Sequence, residues 1–198
     1  TVILDNTTVV NAIGNFGVGV FSNNDLTLIS DGSIDVSNAG DAIGLAGYAD
    51  FGDSTVTNNG AIYAYSTNGT AAGVVAVSNY GDTSAYNNGD IEAYSFTGDA
   101  YGMVSYSPYG DAIANNEGSI YAHSFIGDAT GILAFAQYGD VTVTNGTYAD
   151  ITAYTFGGNA TGINAQSYTG DVTVVNDGSI SAESVNLSAI GINAQSVY

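Results

Sequence analysis

The sequence predicts one all-β domain, a single-domain parallel β-solenoid (three-sided β-helix) built from coils of about 29 residues. Three observations carry this. One unit recurs along nearly the whole chain, each unit holds three short stretches of alternating apolar and polar residues, and the composition favours strands and tight turns over helices.

The composition also limits function. In 198 residues there are 27 Gly, 15 Tyr and 7 Phe, but one Pro, one Met and no Trp or Cys. With 45% apolar residues the chain can bury a core, so disorder is not expected despite its charge. That charge is −19 at pH 7, from 19 Asp plus Glu, one His and no Lys or Arg. Lys and Arg supply most nucleic-acid affinity, so nucleic acid is excluded as a partner. Anionic lipid, P-loop chemistry and guanidinium recognition of carboxylates fall on the same ground. Without cysteine there is no disulfide or thiol chemistry, and the redox compartment cannot be read. No run is long enough for a membrane-spanning helix, no basic-then-apolar signal opens the chain, and membrane insertion is not expected. A start at Thr1 suggests a mature or excised product.

Aligned on Ala-x-Gly, the units begin at Ala42, Ala71, Ala100, Ala129, Ala160 and Ala189, with separations of 29, 29, 29, 31 and 29 residues. A degenerate unit starts at Asn15, and a two-residue insertion falls around Gly146 and Thr147. The chain thus divides into divergent N-terminal coils (1–41), five regular repeats (42–188) and a partial final coil (189–198).

Each unit holds three strand-length stretches. Gly131-Ile132-Leu133-Ala134 typifies the first, Asp140 to Asn145 the second and Ser119 to Ser124 the third, each closed by Gly, Asn or Asp. In the third, Val10, Ile34, Ile62, Ile91, Ile120, Ile151 and Ile180 form one column. Two residues later a column of small residues runs from Ala12 to Ala182, as a narrow interior requires. The second strand ends in Asn6, Ser30, Asn58, Asn87, Asn116, Asn145 and Asn176, which period two turns inward, where stacked amides satisfy one another. A β-sandwich is the alternative fold, but hairpin-connected strands do not require columns at 29-residue spacing.

Units such as ATGILAFAQYGDVTVTNGTYADITAYTF and ATGINAQSYTGDVTVVNDGSISAES resemble the repeats of β-helical passenger regions in bacterial autotransporter-type surface proteins. The likeness covers roughly residues 15–198 and rests on Gly-Asp-x-Thr-Val-x-Asn and Gly-x-Ile-x-Ala. It implies a secreted or cell-surface location, folding without a required cofactor, and adhesive or structural roles more often than enzymatic ones. The membrane-translocating barrel of that family has no counterpart here.

Two groups of side chains are candidates for chemistry. Asp53, Asp82, Asp111, Asp140 and Asp171, with Asp25, recur at a Gly-Asp corner, where stacking at about 4.8 Å makes neighbouring charges repel by roughly 0.9 kcal/mol in water. One reading is a weak calcium site bridging them; the other is that each Asp caps its own turn, which suits units lacking the calcium-binding nonapeptide. Asp41, Asp99 and Asp128 form a second, broken column. Tyr65, Tyr94, His123 and Tyr154 line an outward position of the third strand, as a surface for neutral glycans or as an aromatic ladder that only stabilises the stack. Phe51, Tyr80, Tyr109, Tyr138 and Tyr198 share a corner, and Phe96, Phe125 and Phe156 another turn. Catalysis has little support: His123 replaces a Tyr of its column, and Glu92, Glu117 and Glu183 recur in no common column. Asn68, Asn159 and Asn186 lie in glycosylation sequons that chance explains as well.

The ends look complementary. Aligning TVILDNTTVV with DVTVVNDGSI puts Thr1 at the place of Asp171 and Val10 at that of Ile180, so two copies end to end complete a coil almost without a gap. Thr1, Val2, Ile3, Leu4, Asn6 and Val10 at one end, and Ile190, Ile192, Ala194 and Tyr198 at the other, are the expected self-assembly residues of a head-to-tail homopolymer. About 6.8 coils give an axial repeat of roughly 33 Å. The alternative is that both ends are cut points in a longer passenger. The expected function is therefore a non-enzymatic extracellular fibre subunit, with a glycan-binding adhesin and, further off, a glycan-cleaving enzyme as alternatives.

Overall fold

The computed structural model describes residues 1–198 and contains strands and turns but no helix. Seven coils each contribute one strand to three parallel seven-stranded sheets. The second stretch of the repeat forms the Asn sheet: Val2–Leu4, Leu26–Ser30, Ser54–Asn58, Thr83–Asn87, Ala112–Asn116, Val141–Asn145 and Val172–Asn176. The third forms the Ile sheet: Val9–Ile13, Ser33–Asn38, Ala61–Ser66, Asp90–Ser95, Ser119–Ser124, Asp150–Thr155 and Ser179–Ser184. The first forms the Gly sheet: Phe16–Ser22, Ala42–Ala49, Ala71–Ser78, Ala100–Ser107, Ala129–Ala136, Ala160–Ser167 and Ala189–Ser196. This is the expected β-solenoid, with strict register: Ile91 lies between Ile62 and Ile120, and Asn87 between Asn58 and Asn116.

The interior is one continuous apolar column in which Leu28, Leu45, Met103, Ile132 and Ile163 are fully buried. Its fit depends on a pairing the repeat encodes without announcing it. Each Ile of the Ile sheet lays its Cγ2 where the Cβ of the preceding coil's Gly-sheet glycine would be: Ile62 over Gly44, Ile91 over Gly73, Ile120 over Gly102 and Ile151 over Gly131. No residue, glycine included, has positive φ. These glycines lie inside strands and serve space rather than turn conformation.

The first coil departs from the expected register. Val2 pairs with Leu28 and Leu4 with Ser30, so Leu4, not Asn6, stands in the amide column. Asn6 sits in an exposed turn where Asp5 accepts hydrogen bonds from Thr7 and Thr8 and the Thr8 N–H bonds the Asp5 carbonyl at 2.9 Å. The insertion at Gly146 makes the same turn, with the Ala149 N–H on the Gly146 carbonyl at 3.0 Å. The opening coil therefore carries the same two extra residues at the same corner, and an ungapped alignment misplaces everything before them. Thr1 lies level with Thr27 and, up the column, with Thr173 rather than Asp171. Tyr198 stays level with Thr169 and, below it, Tyr138. A second copy set end to end leaves the levels of Gly170, Asp171 and Val172 empty, a wider gap than the sequence alignment implies.

Gly131→Ala drives a methyl into Ile151 and the Gly162 carbonyl, overpacking expected to cost about 1–3 kcal/mol. Thermal melts should show a fall of roughly 2–12 °C. Gly191→Ala, at the same column with nothing within 4 Å, should melt like the parent.

Candidate functional site

The features able to act on another molecule are the corners, the outer faces and the two end faces of the stack. At the corner between the Asn and Ile sheets, the Asn58 side-chain amide donates to Asn87 Oδ1 at 2.9 Å, Asn87 to Asn116 at 2.8 Å, Asn116 to Asn145 at 2.9 Å and Asn145 to Asn176 at 2.8 Å. Each of the first three also donates to a carbonyl of its own turn, at Gly60, Gly89 or Gly118. Asn58, Asn87, Asn116 and Asn145 are wholly buried. An amide has a donor and an acceptor to give, so a buried column of amides closes on itself.

The Gly-Asp column joins Gly sheet to Asn sheet, and its carboxylates do not cap their own turns. Asp53 Oδ1 accepts the backbone N–H of Asp82 at 2.9 Å, and Asp82, Asp111 and Asp140 do the same for Asp111, Asp140 and Asp171 at 2.8 Å. Each acid braces the next coil. The broken column repeats the device: Asp41 accepts from the Thr70 N–H at 2.9 Å, Asp99 from Asp128 at 2.9 Å and Asp128 from Asn159 at 2.7 Å. No three His, Asp or Glu side chains gather closely enough to hold a metal ion.

Buried hydroxyls do comparable work that the sequence reading missed. Ser66, Ser95, Ser124 and Thr155 donate to carbonyls of the preceding coil at Gly40, Gly69, Gly98 and Gly127, at 2.6–2.8 Å. Ser78, Ser107 and Ser167 do so at the Asp corner, to Gly52, Gly81 and Gly139. Their signal was present as a Ser or Thr closing most Ile-sheet and Gly-sheet strands, though Ile13, Asn38, Ala49 and Ala136 break it.

Outside, aromatic columns run along the axis. Phe51, Tyr80, Tyr109 and Tyr138 stack with centroids 5.1–5.3 Å apart, and Phe96, Phe125 and Phe156 do likewise. Parallel stacking turns ring faces toward one another and leaves edges outward. On the Ile sheet Tyr65, Tyr94, His123 and Tyr154 share a column, but only the last three touch, edge to face at 4.9 and 5.0 Å, while Tyr94 also leans toward Tyr63 and Tyr121. His123 Nδ1 is buried without a hydrogen-bond partner, and burial holds its pKa below the usual histidine value. Glu92 and Glu183 lie in different columns of the Ile sheet and Glu117 at a corner, so the three Glu do not pair with one another across coils.

Asn116→Ala breaks two links of the buried ladder and strands the amides on either side, at an expected cost of about 3 kcal/mol read as a lower melting temperature. Asn115→Ala, whose side chain points away from the interior, should be near neutral. High pH probes the outer faces. Burial first, then the Tyr121 contact, pushes the Tyr94 phenol up to about 12; burial, then Asp99, whose Oδ2 accepts from the phenol at 3.3 Å, pushes Tyr101 to about 12. The fold favours the neutral phenols, so their stabilisation is complete below the unfolded value of 10.0 and is lost as pH rises toward 12. Melting temperature should hold level up to about pH 10 and then fall, less steeply for Tyr101→Phe.

No protein-family model matches the chain, and comparison with curated proteins and with solved structures returns no significant match. What is established is the architecture, a parallel β-solenoid of seven coils.

Proposed function

We propose that the chain is a non-enzymatic extracellular structural protein that polymerises head to tail, the end face of its seventh coil receiving the first coil of the next copy. One observation carries this reading. Of the seven Gly-sheet column glycines, Gly17 to Gly162 each hold an Ile of the following coil, while Gly191 has nothing within 4 Å. At the opposite face Val10, level with Ile34, is a β-branched residue with no glycine beneath it. Val10 of one copy fits the Gly191 socket of another. Stacking then also brings Val18 over Ile192, Val20 over Ala194 and Ala12 over Ala182, continuing the interior columns.

The affinity comes from strand addition, since open strand edges on both faces carry unpaired backbone groups in matching parallel register. The amide ladder does not cross this junction, because Leu4 rather than an amide meets Asn176, and backbone pairing with apolar fill must suffice. No cofactor is needed; a role for calcium is confined to the carboxylate oxygens of Asp53, Asp82, Asp111, Asp140 and Asp171 that do not brace the next coil. A secreted or cell-surface setting agrees with the likeness to autotransporter passengers and with a chain that offers trypsin-like proteases no Lys or Arg. Glycan adhesion is the weaker reading, because the stacked columns turn their ring faces toward one another.

Gly191→Ile tests this directly. Its side chain enters space the chain itself leaves empty, so the protein should fold as the parent does while the socket is plugged. Electron microscopy of the 198-residue parent should show filaments with an axial repeat of about 34 Å, seven strand spacings, and the variant should show none. A parent that stays monomeric at high concentration, or a variant that polymerises equally well, overturns the reading.

A further inference from the structure

The three outer faces differ in chemistry. Reading the nineteen acids onto the columns places them at the corners and on the Ile sheet, at Asp35, Glu92 and Glu183 among others; none projects from the Asn or Gly sheet. The Asn sheet's outer face carries hydroxyls, as at Thr55, Thr57, Thr142 and Thr144. The Gly sheet's outer face is apolar over its first five coils. Ala46, Ala72 and Val75 form a second hydrophobic cluster outside the solenoid, with Phe16, Tyr48, Val77 and Val104 packed around it. Beyond it Tyr106 and Phe135 stack at 5.3 Å into a ridge. In the last two coils the same columns become polar, at Asn164, Gln166, Asn193 and Gln195.

We propose that this face, from the first coil to the fifth, is a lateral docking surface for a second copy of the chain, packed sheet against sheet. Charge selects the occupant. A chain without Lys or Arg repels its own kind wherever acids face each other. Of the two outer faces whose strands carry no acid, the Asn sheet mixes Ile3, Ile29, Ile113 and Val175 among hydroxyls, whereas this one is apolar at nearly every outward position over five coils. Size agrees with it. Five coils at about 4.8 Å by about 20 Å of strand give roughly 500 Å² per copy, so about 1,000 Å² is covered between two, the lower bound for a specific interface. Relief supports it as well: small buried side chains floor the middle, aromatic rings stand at both ends, and beside Phe21, Tyr48 and Val77 lies a hollow of about 610 Å³, with Asp50 in its lining, that can receive a partner's uncharged ridge of Tyr106 and Phe135. Pairing about a two-fold axis that lies in the interface, parallel to the strands, sets the two solenoids antiparallel and brings hollow and ridge together twice.

Sedimentation velocity on the Gly191→Ile protein reads this contact apart from end-to-end stacking, whether or not stacking occurs. The expected result is a concentration-dependent dimer. Leu133→Asn with Phe135→Gln, which copies Asn164 and Gln166 of the next coil and so keeps the fold, should weaken the dimer at least tenfold with an unchanged circular-dichroism spectrum. Val75→Glu, placing a like charge at the centre of the face, should abolish it. A monomer at every concentration, or a dimer indifferent to both variants, overturns the proposal. So does a monomer that instead binds phosphatidylcholine vesicles through this face, which would assign the surface to lipid.

Discussion

Because the coils repeat in register about 4.8 Å apart, each side chain meets its counterparts directly above and below, and every column has to be satisfied by its own kind. Groups that can pair with themselves do so: amides at Asn58 to Asn176, rings at Tyr80 to Tyr138, aliphatic chains in the interior. Isoleucine achieves close stacking only because a glycine lies beneath each one. Carboxylates cannot pair with themselves, and at the Gly-Asp corner the fold gives each from Asp53 to Asp140 the N–H of the next coil, a charge-assisted hydrogen bond that offsets the repulsion. A column of Lys or Arg would need acceptors instead, yet Ser and Thr hydroxyls already take corner carbonyls at Gly40, Gly69, Gly81 and Gly98. A stack that accommodates anionic columns in this way has no corresponding place for cationic ones, in keeping with a composition of nineteen acids and no Lys or Arg.

Much of this was legible before any coordinates. The spacing of Ala-x-Gly sets the coil, and the Ile and Asn columns follow from period two, because self-pairing leaves a periodic trace in the residue types. What escaped the sequence had no such trace. The first coil's turn at Asp5–Thr8 shares no residue at any matching position with the turn at Gly146–Ala149, so the register of Val2–Leu4 slipped by two and with it the fit of the ends. The acid of one coil bonding the backbone of the next is invisible to composition, since a capped turn and a braced neighbour use the same Gly-Asp pair. The outer apolar face was hidden by the alternation itself: with apolar residues at both inward and outward positions, as in Ala71–Ser78, a pattern read for one buried face does not reveal a second.

The placement of charge then bears on the shape of any assembly. Exposed carboxylates at the corners and on the Ile sheet oppose approach from those directions, and screening at physiological salt confines that effect to about 8 Å, less than the width of one face. The two proposed contacts use surfaces where acids are sparse: the end faces, with Val10 set to meet Gly191, and the apolar side of the Gly sheet. They are orthogonal, one along the axis and one across it, so contacts at one do not compete for residues with contacts at the other except at Phe16, Phe21 and Ile190 on the rim. The two proposed contacts together would build single or paired filaments rather than sheets or amorphous aggregate, because away from the filament ends a further copy would find neither an unpaired edge nor a second such apolar face to join.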